Sequence, residues 1–159
     1  MGLVLIAAAH NYYIHGVIQE QPLRTDICRL AADFPAPQGT HGDVVRRQYN
    51  VGGALAQAAA GYPDLFADWL PYLRQLKGDT FAAHKTLLYI MTTLDDTNIL
   101  HRKGAQVASG VKEEARALLS NFSEAALIKL NQRYIKENIS PGGSADILSL
   151  TFLLNAILS

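Results

Sequence analysis

The sequence predicts an all-α fold, and three observations carry that prediction. Apolar residues recur at helical spacing along most of the 159 residues, no segment shows sustained strand alternation or hairpin turn chemistry, and glycines and prolines stand where helices are expected to end. The expected architecture is a single domain over 1–159, a compact bundle of about seven or eight helices around a central, buried C-terminal helix. At 17.3 kDa the chain is long enough to bury a core without disulfides or a structural metal.

Residues 3 to about 15 read as a mostly buried helix, stopped by His15-Gly16. A helix this apolar from its first turn needs cover, from the core or from a neighbour. Pro22 opens a second helix, with Leu23, Ile27, Leu30 and Phe34 on one face, and Pro35 and Pro37 end it. A third helix runs from Thr40 to about Asn50. Gly52-Gly53 breaks it, and a short alanine-rich helix follows, stopped by Gly61 and Pro63. The small residues there permit close approach of another helix or of a ligand, helix packing being the simpler use. Between Asp64 and Lys77 the amphipathic set Leu65, Phe66, Trp69, Leu70, Leu73 and Leu76 is interrupted by Pro71, so a kink is expected at Leu70 and Trp69 is expected in the core.

Phe81 to Thr93 form a central, mostly buried helix that leads into a polar break, Leu94 to Gly104. After Gly104 another helix runs to about Leu119. Ser123 is a cap for the next, with Glu124 in its first turn and Leu127, Leu130, Tyr134 and Ile135 on one face. Ile147 to Leu158 is apolar nearly all the way round and should be the most buried helix.

Composition excludes several function classes. Fourteen Lys and Arg balance fourteen Asp and Glu, so nothing global argues for nucleic acid or a membrane surface, and any anion site must be local. Cys28 is the one cysteine, which excludes an internal disulfide framework and a cysteine-built metal site and fits a reducing compartment, the cytoplasm by default. The run Leu3 to Ala9 is too short to span a bilayer and lacks the basic flank of a signal peptide. No phosphate-binding loop of the Gly-x-x-x-x-Gly-Lys type, no dinucleotide fingerprint and no His-Glu-x-x-His occurs.

Two polar islands carry the chemistry, and we read them as opposite walls of one site. The first, Asp95-Asp96-Thr97-Asn98-Ile99-Leu100-His101-Arg102, follows a strongly apolar helix, where a carboxylate is costly without a partner. Adjacent helical side chains diverge by about 100°, so both carboxylates reach one site only if the helix ends there, and Thr97 and Asn98 favour such an end. A carboxylate pair beside an amide suits a hard cation such as Mg²⁺ shared with phosphate oxygens, and Arg102 suits bidentate phosphate contact. The second island, Asn138-Ile139-Ser140-Pro141-Gly142-Gly143-Ser144-Ala145-Asp146, opens the last helix. Its glycines free backbone N–H groups for an anion, and Asp146 either caps the helix or holds a metal.

These two blocks, together with Gly-Gly-Ala-x-x-x-Ala-x-x-Gly-Tyr-Pro at 52 to 63, resemble the triphosphoribosyl-dephospho-CoA synthases, with agreement from about Gly39 to the end. The resemblance implies an all-α transferase of citrate lyase or malonate decarboxylase maturation. Its substrates would be ATP and 3′-dephospho-CoA, with adenine as the leaving group and Mg²⁺ accompanying ATP. On it, Asp95 and Asp96 hold the metal or contact ribose as catalytic residues, and Asn98 orients the nucleotide. Arg102, Ser140, Gly142, Gly143 and Ser144 serve nucleotide or phosphate, supported by Asp146. Members of the family carry a Thr-His-Lys-Gly segment upstream, so the resemblance implies that this chain would be the C-terminal portion of a longer enzyme. Their Ala-Arg-Gly-Glu-Ala reads Ala54-Leu55-Ala56-Gln57-Ala58 here, and their His-Arg-Gly-Gly reads His101-Arg102-Lys103-Gly104.

Two other readings stand beside this one. The departures at 55 to 57 suit a non-catalytic helical interaction module, self-associating through residues 3 to 15 or joined to a missing N-terminal half. Asp95 and Asp96 with His84 and His101 suit a metal-dependent phosphohydrolase.

Overall fold

The computed structural model describes residues 1–33 and 41–158, and among these every regular element is helical. In chain order they are α1 (Gly2–His15), α2 (Glu20–Asp33), α3 (His41–Tyr49), α4 (Gly53–Ala59), a π-helical turn (Leu65–Trp69), α5 (Leu70–Gln75), α6 (Ala82–Thr93), α7 (Thr97–Ser120), α8 (Glu124–Lys136) and α9 (Gly142–Ile157). The expected Phe34 contact and the Pro35/Pro37 stop lie outside the described residues. No described helix is long and apolar enough to cross a membrane.

Local chemistry accounts for most boundaries. Gly16 closes α1 in the left-handed conformation and returns its N–H to Tyr12. Asn50 and Asn138 adopt the same conformation just beyond α3 and α8. The Ser123 hydroxyl accepts from the Ala126 N–H and starts α8. Pro71, with no N–H to give, is absorbed by one wide turn rather than by a broken helix: the π turn Leu65–Trp69 feeds directly into α5.

Two cores meet at α6. Ile90 and Leu94 join Val4, Leu23, Leu65, Trp69, Leu70, Ile147 and Leu154 on one side, while Leu88 and Met91 join Ile99, Val111, Ala115, Leu118 and Tyr134 on the other. Trp69, 1% exposed, anchors the first and donates its indole N–H to Thr93 Oγ1 at 3.2 Å. In the second, the Tyr134 hydroxyl donates to Glu114 at 2.9 Å. The C-terminal α9 is central as expected, packing on α4, the π turn, α5, α6 and α7, although Phe152 reaches solvent.

Four expectations are corrected. A helix runs on after Gly104 as expected, but the polar break is shorter than 94 to 104, because α7 already begins at Thr97, so His101 and Arg102 are helical. Gly104 kinks it internally at φ 79°, ψ 175°, a region open only to glycine. Ile135 stands off the buried stripe of α8, 71% exposed, because a 3.6-residue period turns it about 100° away from Tyr134. α9 begins at Gly142, so the glycines form its first turn. Finally, α1 is half covered. Val4, Ala7, Ala8 and Asn11 are buried, while Leu5, Ile6, Tyr12, Ile14 and Tyr13, the last 88% exposed, face out.

A side-chain hydrogen bond ties α1 to α2. His10 Nδ1 lies 2.8 Å from Asp26 Oδ2, and with Arg29 also beside it the Asp26 carboxyl is held below its ordinary value. A carboxyl depressed on folding stabilises fully above its ordinary pKa of 3.8 and loses that contribution as pH falls below it through the folded value. Asp26→Asn is therefore expected to flatten part of the acid dependence of stability, read as urea midpoints between about pH 5 and about pH 2. An unchanged slope would remove this pair from the account.

Candidate functional site

The break between α6 and α7 is three residues long, Leu94 to Asp96, and Asp96 closes it. With an extended backbone it caps α7, its Oδ1 accepting from the Asn98 N–H at 3.0 Å. Its Oδ2 reaches across to the first turn of α9, accepting from the Ser144 N–H at 2.8 Å and the Ser144 hydroxyl at 3.0 Å. Asp96 is 5% exposed and Ser144 is fully buried. One carboxylate thus joins the N-termini of two helices and takes the anion position at the positive end of each. The two islands do meet, and this latch is what joins them.

Glycines make the approach short enough. A Cβ on Gly143 would stand 3.3 Å from Asp96 Oδ2, and one on Gly142 would overlap the Asn98 amide nitrogen at 2.3 Å. On the other side Gly53, the first residue of α4, has φ +60°, and a Cβ there would meet Thr97 Cγ2 at 2.8 Å and the Asp95 carbonyl oxygen at 3.1 Å. Gly53 therefore serves close approach, and α4 is drawn onto the turn before α7.

Asp95 has a different environment. Its side chain is 45% exposed and its Oδ1 accepts from Lys112 Nζ at 2.6 Å. The same ammonium donates to the Thr93 carbonyl at 3.2 Å, and Arg116 donates to that of Thr92 at 2.7 Å, so two cations on α7 satisfy the C-terminal carbonyls of α6. Between Asp95, Asp96, Lys112 and Ser144 there is space of only about 20 Å³, room for about one water. As arranged, Asp96 does not fit a hydrated cation. Asp95, with Oδ2 outside the ion pair, fits one where Lys112 yields. Among the described residues no three His, Cys, Asp or Glu side chains converge as a metal site. His84 lies in the first turn of α6 beside Phe81, at the opposite end from Asp95, so the four residues of the phosphohydrolase alternative are not assembled.

Outside the latch opens a cleft of about 520 Å³. Ala54, Leu55, Ala58, Ile147 and Leu150 give it apolar walls, and Tyr62, Thr97, Asn98, Gly143 and Asp146 add polar groups. Asp96 thus fixes the cleft from behind while Asn98 and Asp146 face it. Tyr62 is notable: its ring is buried, burial pushes its hydroxyl pKa up, and its backbone sits at φ 59°, unusual for a bulky residue. The Tyr62 N–H donates to the Gln57 carbonyl at 2.6 Å, and the Gln57 amide exchanges hydrogen bonds with Asp64, which fixes this turn. Arg102 and Ser140 are exposed and outside the cleft lining, with Arg102 one helical turn beyond Asn98.

Sequence reasoning singled out Gly53 as a place of close approach but did not pick out Lys112 or Arg116, nor Tyr62 beyond its place in the 52 to 63 block. For the two cations the available signal was their spacing of four residues on α7. For Tyr62 it was its place in the Gly61-Tyr62-Pro63 stop.

The sequence pattern of the ATP:dephospho-CoA triphosphoribosyl transferase family matches residues 5–159. A probable 2-(5''-triphosphoribosyl)-3'-dephosphocoenzyme-A synthase of Pseudomonas paraeruginosa is 38% identical over 165 residues, covering 97% of this chain and 56% of the relative. Proteins of the same name from Azotobacter vinelandii (35% identity; 99% of this chain, 58% of the relative) and Streptococcus pyogenes (35%; 71% and 41%) are also similar. The chain spans about half the length of the curated relatives it matches. No solved structure matches. With both polar islands meeting at Asp96 and the match running through them to the last residue, the chain belongs to the ATP:dephospho-CoA triphosphoribosyl transferase family.

Proposed function

We propose that this chain supplies the nucleotide-facing half of a triphosphoribosyl transfer site. The observation that carries the reading is the cleft whose polar groups, Asn98 and Asp146, come from the two islands and are fixed relative to each other by the Asp96–Ser144 latch. The reaction is a displacement at an anomeric carbon. A ribose hydroxyl of 3′-dephospho-CoA forms the new bond to C1 of the ATP ribose, the bond from C1 to adenine breaks, and the triphosphate travels with the transferred sugar. The attacking hydroxyl must lose a proton, and Asp146 is a carboxylate in the cleft lining that is not tied up as Asp96 is. Placement of hydroxyl and leaving base along one line is what rigid walls contribute.

Arg102, one turn outside the cleft, is proposed to contact phosphate. Mg²⁺ would arrive with the triphosphate, with Asp95 as its protein contact, and would neutralise phosphate charge. The product would serve as prosthetic-group precursor for an acyl carrier protein of citrate lyase or malonate decarboxylase, in the cytoplasm. We place the remainder of the relatives' fold, or a second copy, on the uncovered face of α1 (Leu5, Ile6, Tyr12 and Tyr13). That face also favours the second reading, a helical module whose function is association.

The test is adenine release from ATP with 3′-dephospho-CoA and Mg²⁺, using the chain alone and with the remainder of a relative's fold supplied. Adenine release that falls about 100-fold in Asp146→Asn is expected. Phosphate release without adenine, or no turnover with the fold completed, would overturn the reading.

A further inference from the structure

We infer that the cleft seats the uncharged adenosine part of a nucleotide and that the polyphosphate lies outside it, along α7 toward Arg102. This rests on the nucleotide chemistry proposed above and adds which half of the ligand the cleft takes. Several features point to it. The volume, about 520 Å³, falls in the range of small-molecule sites, and the walls are largely apolar. Leu55 and Ala58 of α4 and Ile147 and Leu150 of α9 supply that apolar lining.

The polar groups of the lining are Tyr62, Thr97, Asn98 and Asp146, an inventory of hydroxyl, amide and carboxylate that matches ribose hydroxyls and an exocyclic amine. Among the described residues no Lys, Arg or His side chain lines the cleft; Met1 stands at it as well, and Asp146 adds a negative charge. A triphosphate placed there would face the Asp146 carboxylate with no Lys, Arg or His side chain beside it. The phosphate-binding capacity usual at a helix N-terminus is also partly spent, because the Ser144 N–H and hydroxyl both point at Asp96. Arg102, four residues beyond Asn98 on α7, is on the same helix face and outside the lining, where a polyphosphate leaving the cleft would meet it.

Both ATP and 3′-dephospho-CoA carry adenosine, so the experiment separates them. Calorimetric titration of the full chain with adenosine, inorganic tripolyphosphate, ATP and 3′-dephospho-CoA is run on the wild type, Asp146→Asn, Tyr62→Phe and Leu55→Arg, each first shown by circular dichroism to be helical. Adenosine is expected to bind the wild type, with tripolyphosphate failing to displace it. Asp146→Asn and Tyr62→Phe are expected to weaken adenosine about 10-fold, as loss of one polar contact does. Leu55→Arg, which brings a guanidinium into the cleft, is expected to weaken adenosine and to create tripolyphosphate binding. Displacement of adenosine by ATP alone, by 3′-dephospho-CoA alone or by both assigns the source, and each supports the seat. No adenosine binding by helical wild-type protein, or displacement of adenosine by tripolyphosphate, would overturn it. Adenosine binding without adenine release fails the transferase reading and leaves the seat standing, whereas adenine release with tripolyphosphate in the cleft does the reverse.

Discussion

Asp96→Ala is expected to destabilise the protein by about 3 kcal/mol, with no ligand or metal present. A hydrogen bond to a charged group contributes roughly 1.5–3 kcal/mol, and loss of a helix cap costs about 1 kcal/mol. Asp96 makes three such bonds from a buried position, so truncation leaves the Ser144 N–H and hydroxyl without an acceptor and uncaps α7. The contributions overlap, which keeps the sum below three full bonds. Asp96→Asn keeps one acceptor oxygen but turns an NH₂ group toward either the Ser144 donors or the Asn98 N–H, so its loss should fall between wild type and Asp96→Ala. Ser144→Ala removes only the hydroxyl bond and should lose about 1 kcal/mol. Urea midpoints read the series. A carboxylate whose role began only with a bound cation would leave the midpoint of the metal-free protein unchanged, and that result would sink the latch.

How much of this was legible in the sequence depends on whether the deciding interaction is local. The Gly16 stop, the Ser123 cap and the disturbance before Pro71 are settled within a turn of chain, and the structure shows all three. The start of α7 was misplaced for an equally physical reason. Asp, Thr and Asn signal helix ends of both kinds, and only the reach of Asp96 to Asn98 makes this one a beginning. Gly104 was read as a break before a helix, and the backbone does leave helical geometry there.

The meeting of the two islands was foreseen, but the manner of it was not. Asp96 and Ser144 are 48 residues apart, and Lys112 answers Asp95 from 17 residues away. No local pattern encodes such pairings. The exposed face of α1 was legible only as a need for cover, because apolar character around a whole helix does not say which side the present core will take.

Gly53→Ala is expected to cost about 3 kcal/mol, against a gain of about 0.5–1 kcal/mol for Gly110→Ala. The two glycines differ in what a methyl group would meet. At Gly110, in the interior of α7, nothing lies within 4 Å, so alanine only removes conformational freedom from the unfolded chain. At Gly53 the backbone is left-handed, which costs an L side chain roughly 1–2 kcal/mol. The new Cβ would also press on Thr97 Cγ2 at 2.8 Å and on the Asp95 carbonyl oxygen at 3.1 Å, the second of them backbone that cannot rotate away. Relief requires α4 to withdraw from the start of α7. Since α4 carries Ala54, Leu55 and Ala58 while α7 carries Thr97 and Asn98, that withdrawal separates two walls of the cleft. Ligand binding should therefore weaken in Gly53→Ala under conditions where the variant is still fully folded, and stay at the wild-type level in Gly110→Ala. Equal urea midpoints for the two variants would show that the approach of α4 to Asp95 and Thr97 does not set the width of the cleft.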